Sequence, residues 1–98
     1  MPLYLVYRTR AWATDEELDA SVDCAGPIMA TLAPDIRWIR SYLIREGDGA
    51  LSAVCLYEAA SEDLVRRYSE AARLPFSSIA EVERTVVRAP DPEPVAMV

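Results

Sequence analysis

The stretch 36–59, IRWIRSYLIREGDGALSAVCLYEA, decides the fold. Two runs rich in β-branched and aromatic residues flank Glu46-Gly47-Asp48-Gly49, and that arrangement reads as a β-hairpin. Asp and Gly tolerate the positive φ angles of a tight reversal, so the chain can turn there at little steric cost. Alternation along the first arm, 36–45, groups Ile36, Trp38, Arg40, Tyr42 and Ile44 on one face. Arg37, Ile39, Ser41, Leu43 and Arg45 share the other. The return arm, 50–59, sets Leu51, Ala53, Cys55 and Tyr57 against Ser52, Val54, Leu56 and Glu58.

Outward from the hairpin, the upstream segment is a strand followed by a helix. Residues 2–9, PLYLVYRT, carry apolar side chains on both faces: Leu3, Leu5 and Tyr7 on one, Tyr4 and Val6 on the other. A central strand covered from both sides has that pattern. Thr14 then opens T-D-E-E, a capping box with Glu17, and Asp15, Glu16 and Glu17 suit the positive end of a helix dipole. Leu18, Val22, Ala25, Met29 and Leu32 recur at spacings of four and three, one apolar stripe of a helix. Pro27 predicts a kink or restart within it, and Pro34-Asp35 its end.

Downstream, Ser61 caps a second helix over 62–73, with Leu64, Val65, Tyr68, Ala71 and Ala72 inward. Glu62–Arg66 and Asp63–Arg67 are acid-first i,i+4 pairs that support a helix. Leu74-Pro75 stops it, and 79–87 reads as a last, edge strand. Residues 89–98 hold three prolines within 90–94 and read as a Pro-rich disordered tail, leaving 1–88 as one domain. The order βαββαβ implies a ferredoxin-like α+β fold: a four-stranded antiparallel sheet with both helices on one face. The other face is bare yet apolar. Two copies packing sheet to sheet or edge to edge into a barrel-like homodimer would cover it.

Composition narrows the function. The 98 residues carry a net charge of −6, from 16 acidic and 10 basic side chains. An acidic surface of this kind repels phosphate backbones and anionic membranes, so neither nucleic acid nor membrane is an expected partner. Two cysteines and no export-type N-terminus fit a reduced, cytoplasmic setting. No histidine is present, which removes Ser-His and Cys-His nucleophile pairs and every imidazole metal ligand. With 3 glycines there is no Gly-rich phosphate loop.

Four groups of residues carry what chemistry remains. Tyr7, Trp38, Tyr42, Tyr57 and Tyr68 are candidates to wall a small-molecule pocket, or else are core and interface packing. Arg8, Arg37, Arg40 and Glu58 place charge in strands. There Arg8 or Arg40 is a candidate for holding an anionic ligand, the other reading being interfacial salt bridges. Asp15, Glu16, Glu17, Asp19 and Asp23 form an acidic helical face, readable as a weak cation site or as capping and solvation. Cys24 and Cys55 are thiolate candidates, or buried packing.

Several motifs also resemble a known family: MPLYLVYRT at the start, the capped T-D-E-E-L, R-W-I-R-S-Y at 37–42, C-L-Y-E-A-A-S-E-D at 55–63 and A-R-L-P-F-S-S-I-A-E-V at 72–82. They are similar to a small bacterial family catalogued as a domain of unknown function and typified by a nickel-responsive, nickel-binding protein. The resemblance spans residues 2–87 and implies a ferredoxin-like fold, a dimer and, for the typical member, nickel. Members often carry a histidine in the second helix, where this chain has Arg66-Arg67-Tyr68. Nickel favours imidazole, so only carboxylates and Cys55 remain as ligands here.

Two functional expectations follow. One is a dimeric small-ligand or metal-responsive binding protein. The other is a small-molecule enzyme, a cyclase, isomerase or monooxygenase-like catalyst. In it Glu58 would act as general acid or base, its pKa raised by burial. Tyr57 would assist, and Tyr42 and Arg40 would position substrate or stabilise developing negative charge.

Overall fold

The structure, a computed structural model, describes residues 1–94. The hairpin forms as read. β2 (Ile36–Arg45) and β3 (Leu51–Ala59) pair antiparallel across a turn closed by Glu46 N–H to Ala50 O at 2.8 Å, with Gly49 at φ +94°. β1 (Leu3–Trp12) pairs antiparallel with β3, and β4 (Ser78–Glu81) with the other edge of β1, giving the order β2-β3-β1-β4. Both helices lie over one face of this sheet, which is the ferredoxin-like α+β arrangement expected from the element order.

Along β1 and β3 the sequence alternation holds. Tyr4, Val6, Arg8, Ala53, Cys55 and Tyr57 are buried on the helix-covered face, and Leu3, Leu5, Tyr7, Val54, Leu56 and Glu58 point to the open face. Along β2 it breaks. The register jumps between Trp38 and Arg40, where Ile39 is an extra residue with no partner of its own on β3. A bulge of one residue reverses which face every later side chain occupies. Ile36 and Trp38 face the helices, whereas Arg40, Tyr42 and Ile44 face outward opposite Leu56, Val54 and Ser52. The single face expected for these five residues is therefore two.

α1 (Asp15–Leu32) is capped by Thr14, whose side chain accepts from Glu17 N–H, while Glu17 reaches back to the Ala13 N–H. It is one uninterrupted helix, without the expected restart at Pro27. The carbonyl that Pro27 cannot satisfy belongs to Asp23, an exposed residue, so water can take the missing bond. α2 (Glu62–Ala71) starts on the Ser61 cap, as predicted, and stops two residues short of expectation. Arg73 adopts φ +55° there, and Leu74 N–H to Ser69 O with Arg73 N–H to Glu70 O completes a Schellman motif.

β1 runs three residues further than expected, through an irregularity at which Arg10 takes φ 51° and which keeps Trp12 on the buried face. β4 is far shorter than the expected 79–87. Val82 N–H to Leu3 O is its last bond to β1, and beyond Leu3 there is no strand left to pair with. In the expected tail, 89–94 has no helix or strand, and Asp91 pairs with Arg40 and Tyr42. Its last four residues lie outside the described residues.

Candidate functional site

The site is built around a buried arginine. β1 is a central strand, and position 8 faces the helices, so Arg8 ends 1% exposed inside the core. The Schellman turn after α2 aims the carbonyls of Leu74 and Pro75 at it, and one terminal nitrogen donates to them at 3.2 and 3.1 Å. The other donates to the Tyr57 hydroxyl at 3.0 Å and the Ser69 hydroxyl at 3.2 Å. All four acceptors are neutral. Among the described residues no carboxylate pairs with Arg8.

Next to it lies a cavity of about 650 Å³ between α1 and the sheet. Trp12, Leu43, Ala53, Cys55, Tyr57 and Arg8 wall it from the strands, Trp38 and Ile39 from the bulge, and Leu18, Val22 and Ala25 from α1. The space exists because α1 sits loosely. Of its 18 residues only Leu18 and Ala25 are buried, and Val22, in the middle of the apolar stripe, stays exposed. Asp19 and Asp23 stand at the rim and Leu74 closes the α2 side.

The aromatic residues of this face form a row. Trp38 stacks on Tyr57 with centroids 6.3 Å apart, and Tyr68 meets Tyr57 edge-on at 5.6 Å. Burial pushes the Tyr57 hydroxyl well above its ordinary pKa, against the pull of the Arg8 guanidinium. It raises the Tyr68 hydroxyl in the same direction. The Tyr68 hydroxyl is buried without a hydrogen-bond partner. Both phenols therefore stay protonated at neutral pH and can serve as donors.

The bulge at Ile39 divides the predicted site. Trp38, Tyr57 and Tyr68 lie on the helix-covered face, the first two in the cavity wall. Tyr7 and Tyr42 project from the open face, 40% and 51% exposed, while Arg40 borders the cavity as expected of a pocket residue but has its guanidinium held by Asp91. Glu58, the expected acid–base group, is on the open face as well, bound to Arg37 at 3.2 Å with 29% of its side chain exposed. Tyr57 and Glu58 are neighbours in the chain, and the pleat sends them to opposite sides of the sheet. The burial and pocket contact required of a catalytic Glu58 are absent.

The remaining candidates resolve separately. Arg37 and Arg40 are salt-bridge partners, whereas Arg8 is the buried one. Asp15 pairs with Arg45 at 3.0 Å, and the first-turn acids serve the cap. Cys55 is buried in the cavity wall, but Cys24 is exposed on α1, against the expectation of packing. The sequence reading missed Trp12. Its even spacing from Tyr4, Val6 and Arg8 was the available signal.

Among the described residues no three His, Cys, Asp or Glu side chains gather to hold a metal ion. The donors present do not fit nickel: there is no imidazole, and the two thiols sit apart in unlike surroundings, one buried and one exposed.

The fold and the cavity define the class: a ferredoxin-like α+β domain with a ligand-sized space under its first helix. The chain belongs to the family described as nickel responsive protein SCO4226-like, whose pattern matches residues 4–82. No curated protein sequence matches it significantly. Among solved structures it is similar to the crystal structure of SCO4226 from Streptomyces coelicolor A3(2), with a TM-score of 0.66 at 16% identity, over 86% of this chain and 99% of that one. At that identity the likeness concerns the fold.

Proposed function

We propose that this chain is a dimeric small-ligand-binding protein whose site is the cavity beneath α1. The observation that carries the reading is the cavity itself, about 650 Å³, with aromatic and aliphatic walls and one buried cation. Sites for small organic molecules have this volume and this mixture of apolar lining with a few fixed polar groups.

The dimer is supported by the open face of the sheet. There Leu5, Val54 and Leu56 are only half-buried, and Tyr7, Tyr42 and Ile44 are exposed. A contiguous apolar surface of this kind calls for a cover, and two-fold packing of a second copy supplies one. The family's description makes nickel the first ion to test, as an effector and not as a resident cofactor, because the donor set does not suit a closed nickel centre.

Native mass spectrometry of the untagged protein, as isolated and after adding Ni²⁺, tests the reading. A dimer is expected, with organic adducts released on denaturation and no stoichiometric nickel surviving desalting. Tightly held nickel without any organic ligand would overturn it, and a monomer would remove the dimer.

A further inference from the structure

We infer that the cavity beneath α1 takes a small apolar monocarboxylate, its carboxylate set against Arg8 and Tyr57 and its body between Trp12 and Trp38. The inference rests on the cavity being a ligand site and adds the charge and shape of what fills it.

Charge balance points to an anion. The chain's ten basic residues are all arginines. Six are paired with carboxylates: Arg10, Arg37, Arg40, Arg45, Arg66 and Arg67. Arg73, Arg84 and Arg88 are exposed to water. Among the described residues Arg8 alone is both buried and without an anion. Its four hydrogen bonds to two carbonyls and two hydroxyls fix the guanidinium plane but cancel none of its charge. A full charge in a low-dielectric interior is costly unless a counter-ion meets it. Arg8 lines the cavity, so a ligand can supply that counter-ion.

The neighbouring groups fix the rest of the ligand. The Tyr57 hydroxyl accepts from Arg8 and makes no other hydrogen bond among the described residues, so its proton is free for a carboxylate oxygen. Trp12 and Trp38 hold their indoles in place by donating to Ser21 at 2.9 Å and Ser41 at 2.7 Å, so both rings stand fixed in the wall for an apolar body, Trp38 with Tyr57 stacked against it. The other charged groups lining the cavity are Asp19 and Asp23, exposed on the rim, and Arg40, whose charge is already met by Asp91. Water screens the two acids from the inner wall, but they repel a second anion at the mouth. A monoanion with an apolar tail satisfies both ends, and a dianion does not.

The two tryptophans, both in the wall, give a direct test. In ¹⁵N-labelled wild-type protein their indole N–H resonances are followed while 2-naphthoate, 2-naphthamide and 2-naphthylmethylammonium are titrated in turn. The expected result is that naphthoate shifts both indoles and binds at least about tenfold more tightly than the amide, the scale of one charge-assisted hydrogen bond. Tyr57→Phe, which keeps the ring, is expected to shrink that preference severalfold. Asp23→Asn is expected to strengthen naphthoate binding. Equal affinity for acid and amide would overturn the carboxylate inference while leaving the cavity as a binding site. Tightest binding of the ammonium would overturn it in favour of the rim acids. If no probe moves either indole, the cavity reading falls together with the inference.

Discussion

The two helices lie on the same sheet face and use it in opposite ways. α2 presses Val65, Tyr68 and Ser69 into the core with no exposed surface at all, and its terminal turn delivers two carbonyls to Arg8. α1 is nearly twice as long, yet buries Leu18 and Ala25 alone and leaves the cavity under its middle. One half of the molecule is packed and holds the arginine rigid. The other half is open and supplies the space. A small domain can keep a preorganised polar group and a ligand-sized void together only by dividing them in this way, because close packing and empty volume exclude each other locally.

Stability measurements can break or sharpen that contrast. The largest effect is expected from Tyr68→Ala, which empties a fully buried position on the α2 side and should cost about 3–5 kcal/mol in urea unfolding. Val22→Ala, on the α1 side, should stay within about 0.5 kcal/mol. Similar losses at the two sites would abolish the distinction between the halves.

Alkali should come next. The folded Tyr57 and Tyr68 hydroxyls titrate above the ordinary value of 10.0 that they take when unfolded. The unfolded chain therefore releases these protons first. Stability is present in full below pH 10 and falls as the pH rises past it, visible as a declining melting temperature. Tyr68→Phe should flatten part of that decline. At neutral pH it should change stability by less than about 1 kcal/mol, since its hydroxyl has no partner to lose.

The caps are a finer probe. Ser61→Ala and Thr14→Ala each remove an accepted backbone bond and should cost about 1 kcal/mol. The Ser61 loss is expected in global unfolding. The Thr14 loss should show first as faster amide exchange along α1, and an α1 that exchanges only by global unfolding would contradict its loose seating. Opposite in sign is Arg73→Gly, which relieves the positive φ at the end of α2 and should stabilise by about 0.5–1 kcal/mol.

Much of the fold was legible because each element announces its own boundary. Thr14 and Ser61 cap, and Glu46-Gly47-Asp48-Gly49 turns. Alternation placed β1 and β3 correctly, down to Leu3, Leu5 and Tyr7 opposing Tyr4 and Val6. The site was less legible for one local reason. Alternation assumes an unbroken ladder, and the extra residue at Ile39 reverses the parity of everything after it, so the face that alternation assigns to Arg40 and Tyr42 along with Trp38 is not the one they take. Nothing in I-R-W-I-R-S-Y marks that bulge, since no Gly or Pro stands there. Arg8 was visible as a charge in a strand. Its isolation from every carboxylate of the described residues is a property of the assembled core and not of its neighbours in the chain.

Asp91 has a consequence for any association through the open face. Its carboxylate meets Arg40 and Tyr42 from a tether in the same chain, so it is presented to them at an effective concentration on the millimolar scale however dilute the protein is. A second copy using that part of β2 must outcompete a rival that never diffuses away. Self-association through this surface then scales with how often the tether lets go, and trimming the chain before Asp91 should raise it.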